Sequence, residues 1–304
     1  MKTCSIIIPT RDRPHKLLRA VGSALATLPE DSEIVVVDDA SERPAAQTLL
    51  QIPDPRIKVL RNDHPLGGGG SPSRNKGVEA AEGLTLFFLD DDDELVEEYC
   101  REILNSHIAQ QNQFGFSARL FRSNSDHGKP TNVVEKRKLP KGIISPKSGF
   151  KHRTFPFSSG FWLTRDAYLK AGPFAETLST NSDTEYCLRM YDAGLTGFYS
   201  DSPGVVIYEN EGNASAELAN VTTRSKSSDR AKAFEAIAQK HTRYLAANQD
   251  AADFVYVRWV KHALRAGEKV SVEAAISQAP NLFLRLKLQL LKNGYALTER
   301  RRSK

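Results

Sequence analysis

A chain of 304 residues with 40% hydrophobic residues has room for one large or two modest cores, which excludes a disordered or fibrous polypeptide. Its net charge of +5 suits anionic ligands, but the excess is small and no aromatic-basic platform accompanies it, so nucleic acid is not an expected partner. Cys4, Cys100 and Cys187 have no metal-site spacing and are odd in number, no leader peptide precedes the first strand, and no apolar stretch reaches the roughly 20 residues of a membrane span; a cytoplasmic setting is expected.

Residues 5–8 form a β-branched run closed by Pro9, and residues 14–28 place Leu17, Leu18, Val21, Leu25 and Leu28 at helical spacing. Residues 33–37 predict a second strand ending in Asp38 and Asp39, residues 43–51 a short helix, and residues 57–60 a third strand. This βαβαβ alternation implies a parallel sheet covered by helices, with ligands at the carboxyl ends of its strands. Gly67 to Gly70 precede a predicted helix over 71–81, whose first turns carry Arg74 and Lys76, cations placed to meet a phosphate or a base. Judged by itself the segment reads equally well as a surface loop, and it lacks the Gly-Lys-Ser/Thr ending of an ATPase loop.

Residues 84–89, LTLFFL, run as a buried strand into four aspartates, Asp90 to Asp93. Four carboxylates cannot be buried unpaired, so they sit at the strand end, facing solvent or a cation. Mg2+ and Mn2+ are usually held by one or two carboxylates together with substrate phosphates, which points to a phosphate-bearing substrate; a solvated acidic turn is the alternative.

Residues 95–111 predict one amphipathic helix, 114–121 a strand, and 123–151 a long exposed loop of the kind that serves as a lid or acceptor-binding segment. The aromatic run 155–163 reads as a strand and 165–170 as a helix. In NSDTEYCLRMYD, residues 181–192, Ser182 or Asn181 is a candidate N-cap, Glu185 three residues after Ser182 fits a capping box, and Asp183 falls in the first helical turn, where a lone acid ordinarily complements the helix dipole. A strand over 199–208 precedes helices over 229–247, 252–266 and 271–293, the last broken near Pro280, which divides the chain into residues 1–219 and 220–304. The final helix sets Leu282, Phe283, Leu286, Leu290 and Leu291 against basic residues that end in Arg300 to Arg302. It either packs on the main domain or rests peripherally on an anionic membrane surface.

Four segments, SIIIPTRDR (5–13), VVVDDAS (35–41), SPSRNKGVEAAEGLTLFFLDDDD (71–93) and SDTEYCLRMYDAG (182–194), occur in an order and spacing that resemble family 2 inverting glycosyltransferases of the GT-A fold. The resemblance implies an α/β, Rossmann-like, mostly parallel sheet flanked by helices, and it leaves the C-terminal helices as an extension. It implies a nucleotide-sugar donor, expected to be a UDP-sugar, a divalent Mn2+ or Mg2+, and a glycan or lipid-linked acceptor in cell-surface glycan synthesis. By the same resemblance Pro9, Thr10 and Arg11 contact the nucleotide, Asp39 reads the uracil edge, and Arg74 lies near base and phosphates. Asp90 and Asp91 hold ribose or sugar, Asp92 binds the metal, Asp93 is an extra carboxylate just beyond, Asp183 is the catalytic base and Arg189 anchors its helix. Arg11 stands where the family often has an aromatic, and Asn210 near a family histidine that assists the metal or diphosphate.

This chemistry is coherent. A carboxylate-held cation neutralises a diphosphate leaving group, and one carboxylate across the anomeric carbon deprotonates the acceptor in a single inverting displacement, without the second carboxylate that retaining glycosidases need. Two rivals stand beside it. A sugar-nucleotide nucleotidyltransferase would carry a glycine-rich, arginine-containing loop after the first strand, where PTRDRPHK is found. A catalytically inert protein would keep the fold to grip a glycan or a partner enzyme.

Overall fold

The computed structural model describes residues 2–67, 70–106, 108–123, 131–209 and 225–302. The first third alternates as the apolar pattern requires: β1 (Lys2–Thr10), α1 (Pro14–Thr27), β2 (Ser32–Asp38), α2 (Ala45–Leu49), β3 (Ile57–Arg61), α3 (Ser71–Ala80) and β4 (Gly83–Phe88). These strands are parallel and adjacent in the order β3-β2-β1-β4. Every residue of β2 is buried, as expected for strands covered on both faces. Pro9 does not close β1. The strand runs on to Thr10 opposite Asp38, since one proline removes only a single ladder donor. With Ile7 opposite both Val35 and Phe88, the ends of β1, β2 and β4 meet at one edge.

Residues 95–111 do not form one helix. Glu94 and Leu95 make β5 (Glu94–Leu95), paired antiparallel with Val206 and Val205, and Glu98 takes a left-handed φ of 68° before α4 (Tyr99–Asn105) and α5 (Ile108–Gln111). Long-range pairing overrides the helical spacing there. After β6 (Phe114–Ser123), the predicted exposed loop holds β7 (Thr131–Glu135), paired with β6, then β8 (Gly142–Ile143) and α6 (Phe150–Arg153), whose Phe150 is buried. Within the aromatic run only Trp162 and Leu163 are extended, as part of β9 (Trp162–Thr164), antiparallel to β4 and β6. Phe155, Phe157 and Phe161 instead fill the core through ring contacts, so their apolar character marked burial rather than a strand.

The chain continues through α7 (Arg165–Ala171), α8 (Ser182–Asp192) and β10 (Gly197–Glu209), which lies parallel to β6. The C-terminal helices are α9 (Ser227–Lys240), α10 (Thr242–Ala247), α11 (Gln249–Ala266), α12 (Lys269–Gln278) and α13 (Leu282–Arg302), with Pro280 between the last two. They share one hydrophobic cluster with the sheet, running from Ile7 and Phe88 through Tyr186 and Leu188 to Phe234, Trp259 and Leu288. On α13 the inward residues are Leu284, Leu288 and Leu291, whereas Leu282, Phe283, Leu286, Leu290 and Leu297 are each more than half exposed. Among the described residues no helix is long and apolar enough to cross a membrane.

Candidate active site

The acids after β4 are sorted by a tight turn. The Asp93 amide donates to the Asp90 carbonyl at 3.1 Å, which folds the first and fourth aspartates back towards each other. Asp90, Asp92 and Asp93 each offer a carboxylate oxygen, all within 4.8 Å of one another. Asp91 faces elsewhere, accepting from the Thr10 hydroxyl at 2.7 Å and from Arg13 at 3.0 Å. Arg13 also donates to Asp92 at 2.9 Å, and Arg19 to the Asp92 carbonyl at 2.8 Å.

Burial pushes the Asp91 carboxyl up to about 6, with Asp92 adding to the rise and Arg13 opposing it. Asp93 is also raised well above the ordinary carboxylate range, by burial and then by Asp90, Asp92 and Asp91. Three clustered carboxylates that repel one another fit a hard dication, which supplies the missing positive charge. Asp93 thus joins Asp90 and Asp92, where the sequence left it as a bystander. Arg13, three residues past the first strand, also belongs to the site through Asp91 and Asp92, and no sequence motif gives it that role.

At the neighbouring strand ends, the Asp39 amide donates to the Thr10 carbonyl at 2.9 Å, and its carboxylate accepts from Asn62 at 2.8 Å and the Leu66 amide at 3.0 Å. Asp38 is the structural member of that pair. Its carboxyl is buried, which opposes ionisation, but the Ser41 and Ala45 groups and the Arg61 guanidinium hold it below the usual carboxylate range. Pro9 sits in the ladder opposite Val37. Arg11 is half exposed beside Asp12 at 3.5 Å and makes no ion pair with the acidic turn.

Arg74 reaches the turn from α3. Gly70 precedes that helix at φ +83°, and a β-carbon there would lie 2.9 Å from the Arg74 guanidinium, so glycine both makes the bend and leaves room for the cation. Arg74 is buried, ion-paired with Asp90 and placed over the Phe157 ring at 5.1 Å. Asn75 locks α3 in place, bonding the Phe174 backbone at 3.0 and 2.8 Å and the Glu176 carboxylate at 2.8 Å. Lys76 is directed away from the turn, to the Arg61 carbonyl and Asn62.

Asp183 lies half-buried in the first turn of α8. Of the two expected N-caps it is Asn181 that holds the position, in a left-handed conformation and with no side-chain cap, while Ser182 is already helical, so the capping box with Glu185 is not formed. Glu185 has another role. Fully buried, it is nevertheless held at about 2 by His241 at 3.1 Å, Arg189 at 2.8 Å and Lys240 at 2.8 Å, joining α8 to the C-terminal helices. Burial raises the Asp183 carboxyl, and the Thr184 amide at 2.7 Å and the Arg74 charge pull it back. Arg74 therefore acts on Asp90 and Asp183 together. Asp183 also lines a cavity of about 190 Å3 with Arg137, Lys151, Phe254 and Arg258. Asn210 lies outside the described residues.

The sheet is mixed rather than mostly parallel, since β5, β7, β8 and β9 pair antiparallel, but its β3-β2-β1-β4 half is parallel and carries acids at the ends of β2 and β4, the arrangement of the GT-A fold. Residues 1–349 of Staphylococcus aureus TarS, in complex with UDP-GlcNAc, share this fold, with a TM-score of 0.70 over 92% of this chain and 82% of that one at 17% identity. The chain belongs to glycosyl transferase family 2, whose profile matches residues 5–171. A UDP-Glc:alpha-D-GlcNAc-diphosphoundecaprenol beta-1,3-glucosyltransferase of Escherichia coli is 28% identical over 54% of this chain and 67% of its own length. The succinoglycan biosynthesis protein ExoO of Rhizobium meliloti is 33% identical over 33% of this chain, but the match spans only 28% of that protein. A Campylobacter jejuni GalNAc(5)-diNAcBac-PP-undecaprenol beta-1,3-glucosyltransferase is 37% identical over 32% of this chain and 31% of its own.

Proposed function

We propose that this glycosyltransferase moves a sugar from a UDP-sugar to a hydroxyl of a glycan or lipid-linked acceptor, with inversion, during cell-surface glycan assembly. The observation that supports this reading is the Arg74 guanidinium, which pairs with Asp90 and whose charge also lowers the Asp183 carboxyl, in keeping with an acidic turn and a helix acid that serve one cleft. The donor and acceptor named for the Escherichia coli relative support the substrate classes.

Pro9, Thr10, Arg11 and Asp39 take the nucleotide, Asp39 at the uracil edge. Asp91 keeps Thr10 and Arg13 in place beneath it, and Arg74 and Asp90 face the phosphates and the sugar. Asp92, with Asp90 and Asp93, would hold Mn2+ or Mg2+, which supplies Lewis-acid neutralisation of the departing UDP. Asp183 accepts the acceptor's hydroxyl proton as the new C–O bond forms and the bond to the diphosphate breaks. Burial makes it the stronger base for that step.

The outward residues of α13 fall within about 100° of its surface at 3.6 residues per turn. Together with the sequence run Arg300 to Arg302, they support peripheral contact with an anionic leaflet on the cytoplasmic side. A panel of nucleotide sugars, assayed for Mn2+- or Mg2+-dependent hydrolysis with UDP calorimetry alongside, tests the donor reading. Selective turnover of one UDP-sugar is expected, and binding of no nucleotide at all would contradict it.

A further inference from the structure

The cavity beside Asp183 is built from parts of the chain that supply nothing to the acidic turn. Arg137 follows β7, Lys151 lies on α6, and Phe254 and Arg258 lie on α11. Its three cations face one carboxylate, a surplus of two positive charges. The nearby acids are already engaged, Glu135 by Arg119 at 2.7 Å and Asp250 by Arg153 at 3.2 Å. Among the described residues, no carboxylate forms an ion pair with Arg137, Lys151 or Arg258.

Arg258 is fixed in place by lying 3.4 Å over the Phe254 ring. Burial lowers the proton affinity of both arginines, and at Arg137 the neighbouring Arg119 adds to the lowering while Glu135 opposes it only in part, the sign of cations partly stripped of water and incompletely compensated. His152 is lowered by burial and then by Lys151, Lys138 and Arg137, so the positive charge is concentrated here. An anion that enters such a site replaces lost hydration and balances the charge.

Resting on the assignment of Asp183 as base, we propose that this cavity is the acceptor subsite and that Arg137, Lys151 and Arg258 grip a diphosphate ester on the acceptor sugar whose hydroxyl meets Asp183. Guanidinium forks match phosphate oxygens in pairs, and a diphosphate diester carries the two negative charges that the surplus calls for. At about 190 Å3 the space is smaller than the roughly 300–1,000 Å3 of drug-sized pockets, so it takes one sugar and its anionic substituent rather than a chain.

The test is calorimetry on the full chain saturated with UDP and Mg2+, using octyl hexoside, octyl hexosyl phosphate, octyl hexosyl diphosphate and a polyol-phosphate oligomer. The octyl group shared by the three hexosyl probes cancels any contribution from apolar surface among them. The diphosphate ester is expected to bind at least about tenfold tighter than the neutral glycoside, by charge-assisted bonds to the two arginines. Arg258→Gln and Arg137→Gln should each remove most of that difference while leaving the UDP titration unchanged. Equal affinity for charged and neutral esters, or tighter binding of the polyol phosphate than of the diphosphate, would overturn the proposal. The comparison of probes on the unaltered protein stands even if a variant folds poorly. Absence of UDP binding would instead remove the donor reading and leave the charge comparison intact.

Discussion

Burial raises the proton affinity of Asp183 on α8, and the Arg74 guanidinium on α3 pulls it back down. Two side chains far apart in sequence thus share one electrostatic environment, with Arg74 itself ion-paired to Asp90.

Removing that cation moves a measurable quantity. Asp183 must be ionised to accept a proton, so activity falls as pH drops through its raised pKa. In Arg74→Met the carboxyl loses a neighbouring positive charge and its pKa rises further, so the acid limb of kcat/KM against pH should shift to higher pH, with donor affinity weakened as well. An unmoved acid limb would show that the two groups do not share a cleft.

The turn at Asp90–Asp93 predicts unequal roles for adjacent aspartates. Asp93→Asn should weaken Mn2+-dependent UDP binding by tenfold or more, because it removes one of three clustered oxygens. Asp91→Asn should leave the metal requirement in place and act through Thr10 and Arg13 instead. Calorimetry of UDP with and without Mn2+ separates the two outcomes.

Sheet and site were legible to different depths. The strands β1, β2 and β4 could be read from their apolar runs, because strands covered on both faces are nearly continuous in apolar residues, whereas β3, a partly exposed edge strand, was legible from the shorter run Ile57 to Leu60. β5, β7 and β8 could not, since each is short and owes its existence to pairing with β6 or β10. The acids and Arg74 were visible as residue types. Their grouping was not: which of four aspartates face one another depends on the hydrogen bond from Asp93 to Asp90, and the capping-box spacing of Ser182 and Glu185 concealed a buried link to His241.

That link yields a stability prediction. The Glu185 carboxyl is depressed to about 2 in the folded chain, so its contribution is fully present above the unfolded carboxyl range near about 4.3 and is lost as pH falls towards 2. Glu185→Gln leaves Arg189, His241 and Lys240 without their shared acid and should cost roughly 3 kcal/mol at neutral pH. Urea unfolding at pH 7 and pH 3 checks this, and the difference between variant and parent should shrink at the lower pH.

The outward stripe of α13 predicts lipid contact without a folding role. Leu286→Glu should reduce co-sedimentation with phosphatidylglycerol-rich vesicles several-fold while leaving the thermal midpoint unchanged, because Leu286 is exposed. Undiminished sedimentation would remove the membrane assignment.

The central claim, that Asp183 is the base facing a donor held at the acidic turn, is tested most directly by Asp183→Asn, with UDP affinity and sugar transfer measured on the same preparation. UDP binding within about twofold of the parent and transfer reduced by roughly 10²–10⁴ is the predicted result, the range of a lost general base. Transfer at the parental rate would contradict the account.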